Sequence, residues 1–303
     1  MDMSVIVCTR NRDDGLKKLL QSLAEQVLPS PVEWQVIIID NNPMKSIYQW
    51  AQVFSFDQLN VRIIREERQG KSFALNTGIS AALGDIIAFT DDDCLVSSDW
   101  VFSMYREFVR NCRIDGIGGR VLLHDQKAMP VAIRTGEERT EVKAELFDPK
   151  RIPILGCNMA FRREVIQRIG LFDIRMGPGS KANAVAEDVD YLYRLLKKRM
   201  KIIYSPSVIV FHDHGRKNPE SVKEVNRRYL TGRGAFYCKH ILNGDRKVLK
   251  MAYWEISPMF KSWLKSFIAG SELSSNSDLR ALLKGASYMI HNRVKLSATE
   301  MLD

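Results

Sequence analysis

Apolar and polar positions alternate in blocks along the first ninety residues. Residues 4–8 form a β-branched run that gives way to polar Thr9, Arg10, Asn11, Arg12, Asp13 and Asp14. Leu16, Leu19, Leu20 and Leu23 then recur at helical spacing, so the pattern predicts strand, loop and helix. Residues 34–39 predict a second strand, stopped by Asp40, Asn41, Asn42 and Pro43, and a helix follows to about Phe54. Residues 61–64 predict a third strand. Residues 72–83 predict a helix with Gly84 as its C-cap, and residues 86–89 a fourth strand that ends at Asp91, Asp92 and Asp93.

Strands alternating with helices at this spacing predict βαβ units around a mostly parallel sheet. The strands are continuous apolar runs, as expected when helices cover both faces. Ligands of open parallel sheets sit at the carboxyl ends of the strands. Here those ends carry Thr9 and Arg10, Asp40, and Asp91 to Asp93, so three polar clusters converge on one edge.

The middle of the chain is less regular. Residues 116–123 predict a strand, and residues 126–148 a polar loop with a short ribbon. Residues 176–186, with Gly177, Pro178 and Gly179 as a hinge, predict a mobile lid. Residues 189–198 predict a helix, and residues 202–204 and 208–211 two strands. Beyond Arg216 the pattern turns helical.

Charge sharpens this division. The net charge is +9, and residues 216–303 hold 16 Lys/Arg against 8 Asp/Glu, so almost all the excess lies there. We expect one domain over 1–215, followed by a basic helical region over 216–303. No basic–aromatic RNA signature accompanies that charge, which argues against nucleic acid as a partner. Residues 254–268 instead set Trp254, Ile256, Met259, Phe260, Trp263, Leu264, Phe267 and Ile268 beside Lys261 and Lys265. That mixture suits a membrane surface, or docking on a partner subunit. The odd set of five cysteines, with no CxxC pair, argues against a disulfide framework or a zinc site. We therefore expect a cytoplasmic protein, peripheral on the inner face of the membrane, with no signal peptide and no run of 18 apolar residues.

Several clusters carry chemistry. Alternate side chains of a strand point the same way, so Asp91 and Asp93 are expected to aim at one ion, and hard carboxylate oxygens suit Mn2+ or Mg2+. Either His212 or His214, after the strand at 208–211, is positioned to complete that site with Asp93. Glu187 and Asp188 open a helix, where a carboxylate can deprotonate an acceptor hydroxyl. Gly70, Lys71 and Ser72 tempt a P-loop reading, but the required earlier glycine position is Arg65; what remains is a helix start plus a lysine, suited to a diphosphate.

The order of these motifs resembles family 2 glycosyltransferases of the GT-A fold, over about residues 3–215, which implies a catalytic domain over 1–215 with a nucleotide-binding part over about 1–95 and an acceptor-binding part over about 96–215. Residues 4–12 look like the family's opening strand and nucleotide loop, with Thr9 and Arg10 where relatives bind the nucleotide. Residues 37–42 look like the second strand, whose Asp40 position reads the base. Residues 70–76 resemble the family's Gly-Lys…Ala-Leu-Asn helix start. Asp91, Asp92 and Asp93 resemble its D-x-D, which implies Asp93 as metal ligand and Asp91 in support of ribose or metal, with Asp92 beside the donor. Asn158 and Arg162 resemble the acceptor-side segment, and Glu187 with Asp188 the ED signature, which implies Glu187 as an acceptor-binding residue and Asp188 as the general base. His212 falls where relatives place a histidine near diphosphate and metal, with His214 as alternate.

The resemblance implies an inverting transfer from a nucleotide-diphosphate sugar, a UDP-sugar favoured, to a glycan or lipid-linked acceptor in bacterial surface polysaccharide synthesis. Two other readings compete. A sugar-1-phosphate nucleotidyltransferase would carry a glycine-rich loop after the first strand, and Thr9 to Arg12 lacks the glycines. A non-catalytic scaffold would be expected to have lost Asp93 or Asp188, and both are present.

Overall fold

The computed structural model describes residues 1–43, 47, 59–268 and 275–292. Its centre is a nine-stranded mixed sheet. In chain order the strands are β1 (Met3–Thr9), β2 (Trp34–Asp40), β3 (Val61–Arg65), β4 (Ile86–Asp91), β5 (Cys94–Val96), β6 (Gly116–Leu123), β7 (Thr140–Glu141), β8 (Met159–Arg162) and β9 (Ile202–His212). The order across the sheet is β3-β2-β1-β4-β8-β6-β9-β5, with β7 also on β9. The first four strands are parallel, and Met3, Val5, Ile6 and Val7 of β1 are fully buried, as covered faces require. Their register aligns Thr9 with Asp40 and Cys8 with Asp91, which brings the polar strand ends to one edge.

Among the described residues five α-helices accompany the sheet up to β9: α1 (Asp13–Ala24), α2 (Lys71–Ala81), α3 (Trp100–Arg110), α4 (Arg163–Ile169) and α5 (Glu187–Lys197). Leu16, Leu19, Leu20 and Leu23 of α1 are fully buried, the stripe their spacing predicts. The helix expected up to Phe54 falls almost wholly outside the described residues.

Three local expectations change. Helix α2 ends at Ala81 with an extended Ala82, so Gly84 is not its C-cap. Gly84 serves close approach: a Cβ there would lie 2.4 Å from the carbonyl carbon of Met3. The two strands expected at 202–204 and 208–211 are one strand, β9. It crosses Pro206 because its register against β6 shifts between Gly119 and Arg120, an irregularity that removes the proline from the ladder. Finally, β4 stops at Asp91, and Asp92 and Asp93 form a turn into β5. Strand alternation therefore does not align Asp91 with Asp93.

The basic region forms α6 (Pro219–Leu242), α7 (Arg246–Ile268) and α8 (Ser275–His291). Asn218 caps α6 by accepting from Ser221 N, with Pro219 in the first turn. Phe236 of α6 lies in the same core as the sheet, 5.3 Å from the Tyr193 ring and 6.1 Å from Phe147. Helices α6 and α8 cross at two glycines: a Cβ on Gly285 would stand 1.8 Å from Thr231 O, and one on Gly234 1.9 Å from Leu282 O. Among the described residues no helix is long and apolar enough to cross a membrane.

Candidate active site

A cavity of about 840 Å³ opens at the carboxyl ends of β1 and β4. Thr9, Arg10, Lys71, Asp91 to Asp93 and Glu187 line one part; Gly156, Asp188 and residues of α6 line another. Each member of the acidic turn has its own partner. Asp91 Oδ1 accepts from Lys71 Nζ at 2.6 Å. Asp92 Oδ2 accepts from Thr9 Oγ1 at 2.9 Å and from Arg10 N at 3.3 Å. Asp93 pairs with Arg12 and lies 3.4 Å from His212 Nε2. Gly15 lets α1 approach this turn, since a Cβ there would sit 2.4 Å from Asp92 O.

These pairings set the charges. Burial opposes ionisation of Asp93, but His212 and Arg12 outweigh it and hold the carboxyl well below its usual range. Burial alone would lower His212, yet Asp93 raises it to about 9. Asp92 is pushed up to about 7 by burial and then by the charge of Asp93. Burial disfavours the Lys71 charge; Asp91 and Glu187 outweigh that and keep it protonated.

The side chains of Asp93, Cys94 and His212 offer ligand atoms within 4.8 Å of one another. Asp91, occupied by Lys71, is not in that group. His214 sits against His212, ring centroids 4.9 Å apart. Its Nδ1 accepts from Arg216 N at 3.0 Å, so its proton is on Nε2, which is buried without a partner among the described residues. A protonated Nε2 has no lone pair for a metal; His212, whose Nε2 faces Asp93, would offer one on giving up the proton it holds there.

Helix α5 supplies the second acidic pair. Asp188 is half-buried, and its Oδ2 accepts from Gly156 N at 3.0 Å and its Oδ1 from Val189 N at 2.8 Å. Glu187 is buried with Oε1 3.8 Å from Lys71 and Oε2 unpartnered among the described residues. Burial, then the charge of Asp188, pushes Glu187 up to about 7. Its neighbourhood is Lys71 rather than the end of the cavity lined by α6.

Three residues expected to bind substrate are engaged elsewhere. Asp40 is fully buried and accepts from Asn42 N and Nδ2, Ile47 N and Arg65 Nη1 at 2.6–3.3 Å; its neighbour Asn41 is the residue that faces the cavity. Asn158 is fully buried and ties Trp100 Nε1, Arg120 O and Val208 O together. Arg162 donates to Ile114 O and Phe108 O, closing the end of α3. In each case a polar side chain satisfies buried backbone or indole groups that would otherwise be orphaned.

The family described as "Glycosyl transferase family 2" matches residues 4–170, more than half of the chain. The chain belongs to glycosyl transferase family 2. Relatives within reach by sequence include glycosyltransferase AglE of Haloferax volcanii, 26% identical over 64% of this chain and 63% of its own length. The pre-mycofactocin glycosyltransferase of Mycobacterium tuberculosis is 24% identical over 70% of this chain and 43% of its own. The chain thus spans under two thirds of either relative. The succinoglycan biosynthesis protein ExoM of Rhizobium meliloti is 26% identical over 77% of this chain and 73% of its own. Among solved structures, the mannosyltransferase PcManGT from Pyrobaculum calidifontis, in complex with GDP-Man and Mn2+, covers 97% of this chain and 88% of its own at 17% identity and a TM-score of 0.62. S. aureus TarS 1–349 in complex with UDP covers 96% and 89% at 18% identity and a TM-score of 0.56. These likenesses establish the fold as the GT-A α/β type.

In this family 2 chain the sequence motifs account for one side of the cavity only. Arg134, Arg216, Tyr229 and Arg233 also line it, and none was singled out from the sequence. Arg216 and α6 lie beyond the family match, and Arg134 sits in an irregular loop with no periodic pattern. Residues 176–186 form no regular element and pack against the α2 start, where Ser72 Oγ donates to Met176 O at 2.7 Å and Lys71 N to Pro178 O at 2.9 Å.

Proposed function

We propose that the chain transfers a sugar from a nucleotide-diphosphate donor to an acceptor hydroxyl, inverting the anomeric carbon. The observation that carries this reading is the shared cavity. Lys71 and the Asp91–Asp93 turn stand on one side, and Asp188, held by two backbone amides, on the other. On this reading Asp188 takes the acceptor proton as the oxygen bonds the anomeric carbon, and the bond from that carbon to the diphosphate oxygen breaks with its electrons. Lys71 is the cation that meets the departing diphosphate, together with the α2 amino terminus. Arg10, which lines the cavity and has no carboxylate partner among the described residues, adds a second charge for the donor.

Asp93 and His212 fit a divalent ion such as Mn2+ or Mg2+. They are a carboxylate and an imidazole in reach of one another, and the buried His212 Nδ1 lacks a partner among the described residues. Such an ion would supply charge neutralisation to the leaving nucleoside diphosphate. The test is a panel of nucleotide sugars with Mn2+, read by release of nucleoside diphosphate. We expect one donor to stand out and Asp188→Asn to abolish transfer while donor binding survives. Pyrophosphate as the product would identify a nucleotidyltransferase instead, and near-normal turnover by Asp188→Asn would remove the base assignment.

A second reading concerns location. On α7, Tyr253, Trp254, Phe260, Leu264 and Ile268 are exposed, and so are Lys250, Lys261 and Lys265. We propose that this helix rests on an anionic membrane surface. Flotation with anionic vesicles should fall for Trp254→Ser/Phe260→Ser; equal flotation would exclude the helix.

A further inference from the structure

The end of the cavity lined by Arg134, Arg216 and α6 holds cations that its own carboxylates do not balance. Arg233 pairs with Glu255 at 2.9 Å and Arg228 with Glu224. Arg134 and Arg216 have no carboxylate at ion-pair distance among the described residues, yet both line the cavity and neither is fully exposed. Arg134 is held in place: its Nε donates to Ile152 O and its Nη1 to Ile133 O, both at 2.6 Å, leaving Nη2 without a partner among the described residues. Burial lowers its pKa, a sign of a cation whose lost hydration is not replaced.

The two arginines are brought together by backbone. Arg134 exchanges two 2.8 Å hydrogen bonds with Val121 of β6, and Met129 N donates to Arg216 O at 2.8 Å. The hydroxyl of Tyr229 feels the charges of both Asp188 and Arg216, and Arg134 feels Asp188. Both guanidinium groups line the cavity that Asp188 also lines, with Arg134 within electrostatic reach of that carboxylate but not at ion-pair distance.

We propose that this end of the cavity is a subsite for a phosphate or phosphodiester group of the acceptor, held by Arg134 and Arg216 beside Asp188. The assignment of that anion to an acceptor rests on the glycosyl-transfer reading above. Two guanidinium forks from separate loops match a tetrahedral oxyanion with several acceptor oxygens. Neutral sugar hydroxyls would leave both charges unanswered. The class of acceptor is accordingly one carried on a phosphate, either a terminal monoester or a link within a chain.

Calorimetry on the full chain tests this with phenyl phosphate, dimethyl phosphate and glucuronate as probes, each with and without UDP and Mn2+. We expect phenyl or dimethyl phosphate to bind in the presence of UDP. Arg216→Gln, which removes no side-chain hydrogen bond or ion pair among the described residues, should weaken that binding about tenfold, the loss of one charge-assisted hydrogen bond. UDP affinity should stay within about twofold, because the donor contacts are untouched. Arg134→Gln should act alike, with its melting temperature recorded because two backbone bonds are lost. The preferred probe distinguishes a terminal phosphate from a diester. Phosphate binding that UDP displaces, or that depends on Lys71 and not Arg216, overturns the subsite, as does tighter binding of glucuronate. Failure of UDP to bind while phosphate binding still depends on Arg216 overturns the donor reading alone.

Discussion

Glu187 and Asp188 are adjacent in sequence and differ in circumstance. Asp188 is half-buried and held by backbone amides, whereas Glu187 is buried against Lys71 and pushed up to about 7 by burial first and Asp188 next. A carboxyl raised in this way binds its proton more tightly folded than unfolded. Its contribution to stability is complete below the unfolded value of 4.5 and is lost as the pH rises through about 7. Urea unfolding should therefore show the wild type losing stability from about pH 5 to about pH 8, and Glu187→Gln losing less over that span. Parallel profiles would mean that Glu187 titrates normally. Asn158 makes the opposite point. Its three hydrogen bonds, two of them buried, predict that Asn158→Ala costs about 2–3 kcal/mol in stability, measured by urea, with acceptor KM unchanged in the protein that remains folded. A KM effect at normal stability would restore the acceptor role expected from the motif.

At the scale of elements, short polar segments between regular elements do most of the positioning. The end of β4 and the turn after it give Asp91, Asp92 and Asp93 to Lys71, Thr9 and the Arg12–His212 pair respectively. Helix crossings are set as tightly. Gly285→Ala would drive a methyl into Thr231 O, so α8 must move away from α6. We expect a drop in melting temperature of about 3–10 °C, the range that overpacking costs in a chain of this size. An unchanged melting temperature would show that the two helices do not cross there. The strands and helices of the first ninety residues were legible because both faces of a parallel sheet demand continuous apolar runs and α1 demands a leucine stripe. The continuity of β9 was not legible, because a register shift that absorbs Pro206 depends on β6, far away in sequence.

For the whole molecule, the division at residue 215 follows charge but not packing. Phe236 packs on Tyr193 and Phe147, and Asp190 of α5 is buried between Lys239 and His240 of α6, at 2.8 and 2.9 Å. A chain ending at residue 215 would leave Asp190 without two of its partners and expose that aromatic face. We expect such a chain to lack cooperative urea unfolding, whereas one ending near Gly244 keeps α6 and these contacts. Cooperative unfolding of the shorter chain would make residues 1–215 an independent unit.

The sequence by itself determined the sheet's first half, the convergence of polar strand ends, and the family to which the chain belongs. These are local facts: apolar periodicity and short motifs need only neighbours along the chain. Tertiary structure decided which polar side chains remain free to act. Asp40, Asn158 and Arg162 carry motif positions but are taken up by buried backbone and side-chain partners, while Arg134, Arg216 and Tyr229 carry no motif and line the cavity. The reason is that a side chain's availability depends on whether distant elements have already satisfied it, and no spacing along the chain encodes that.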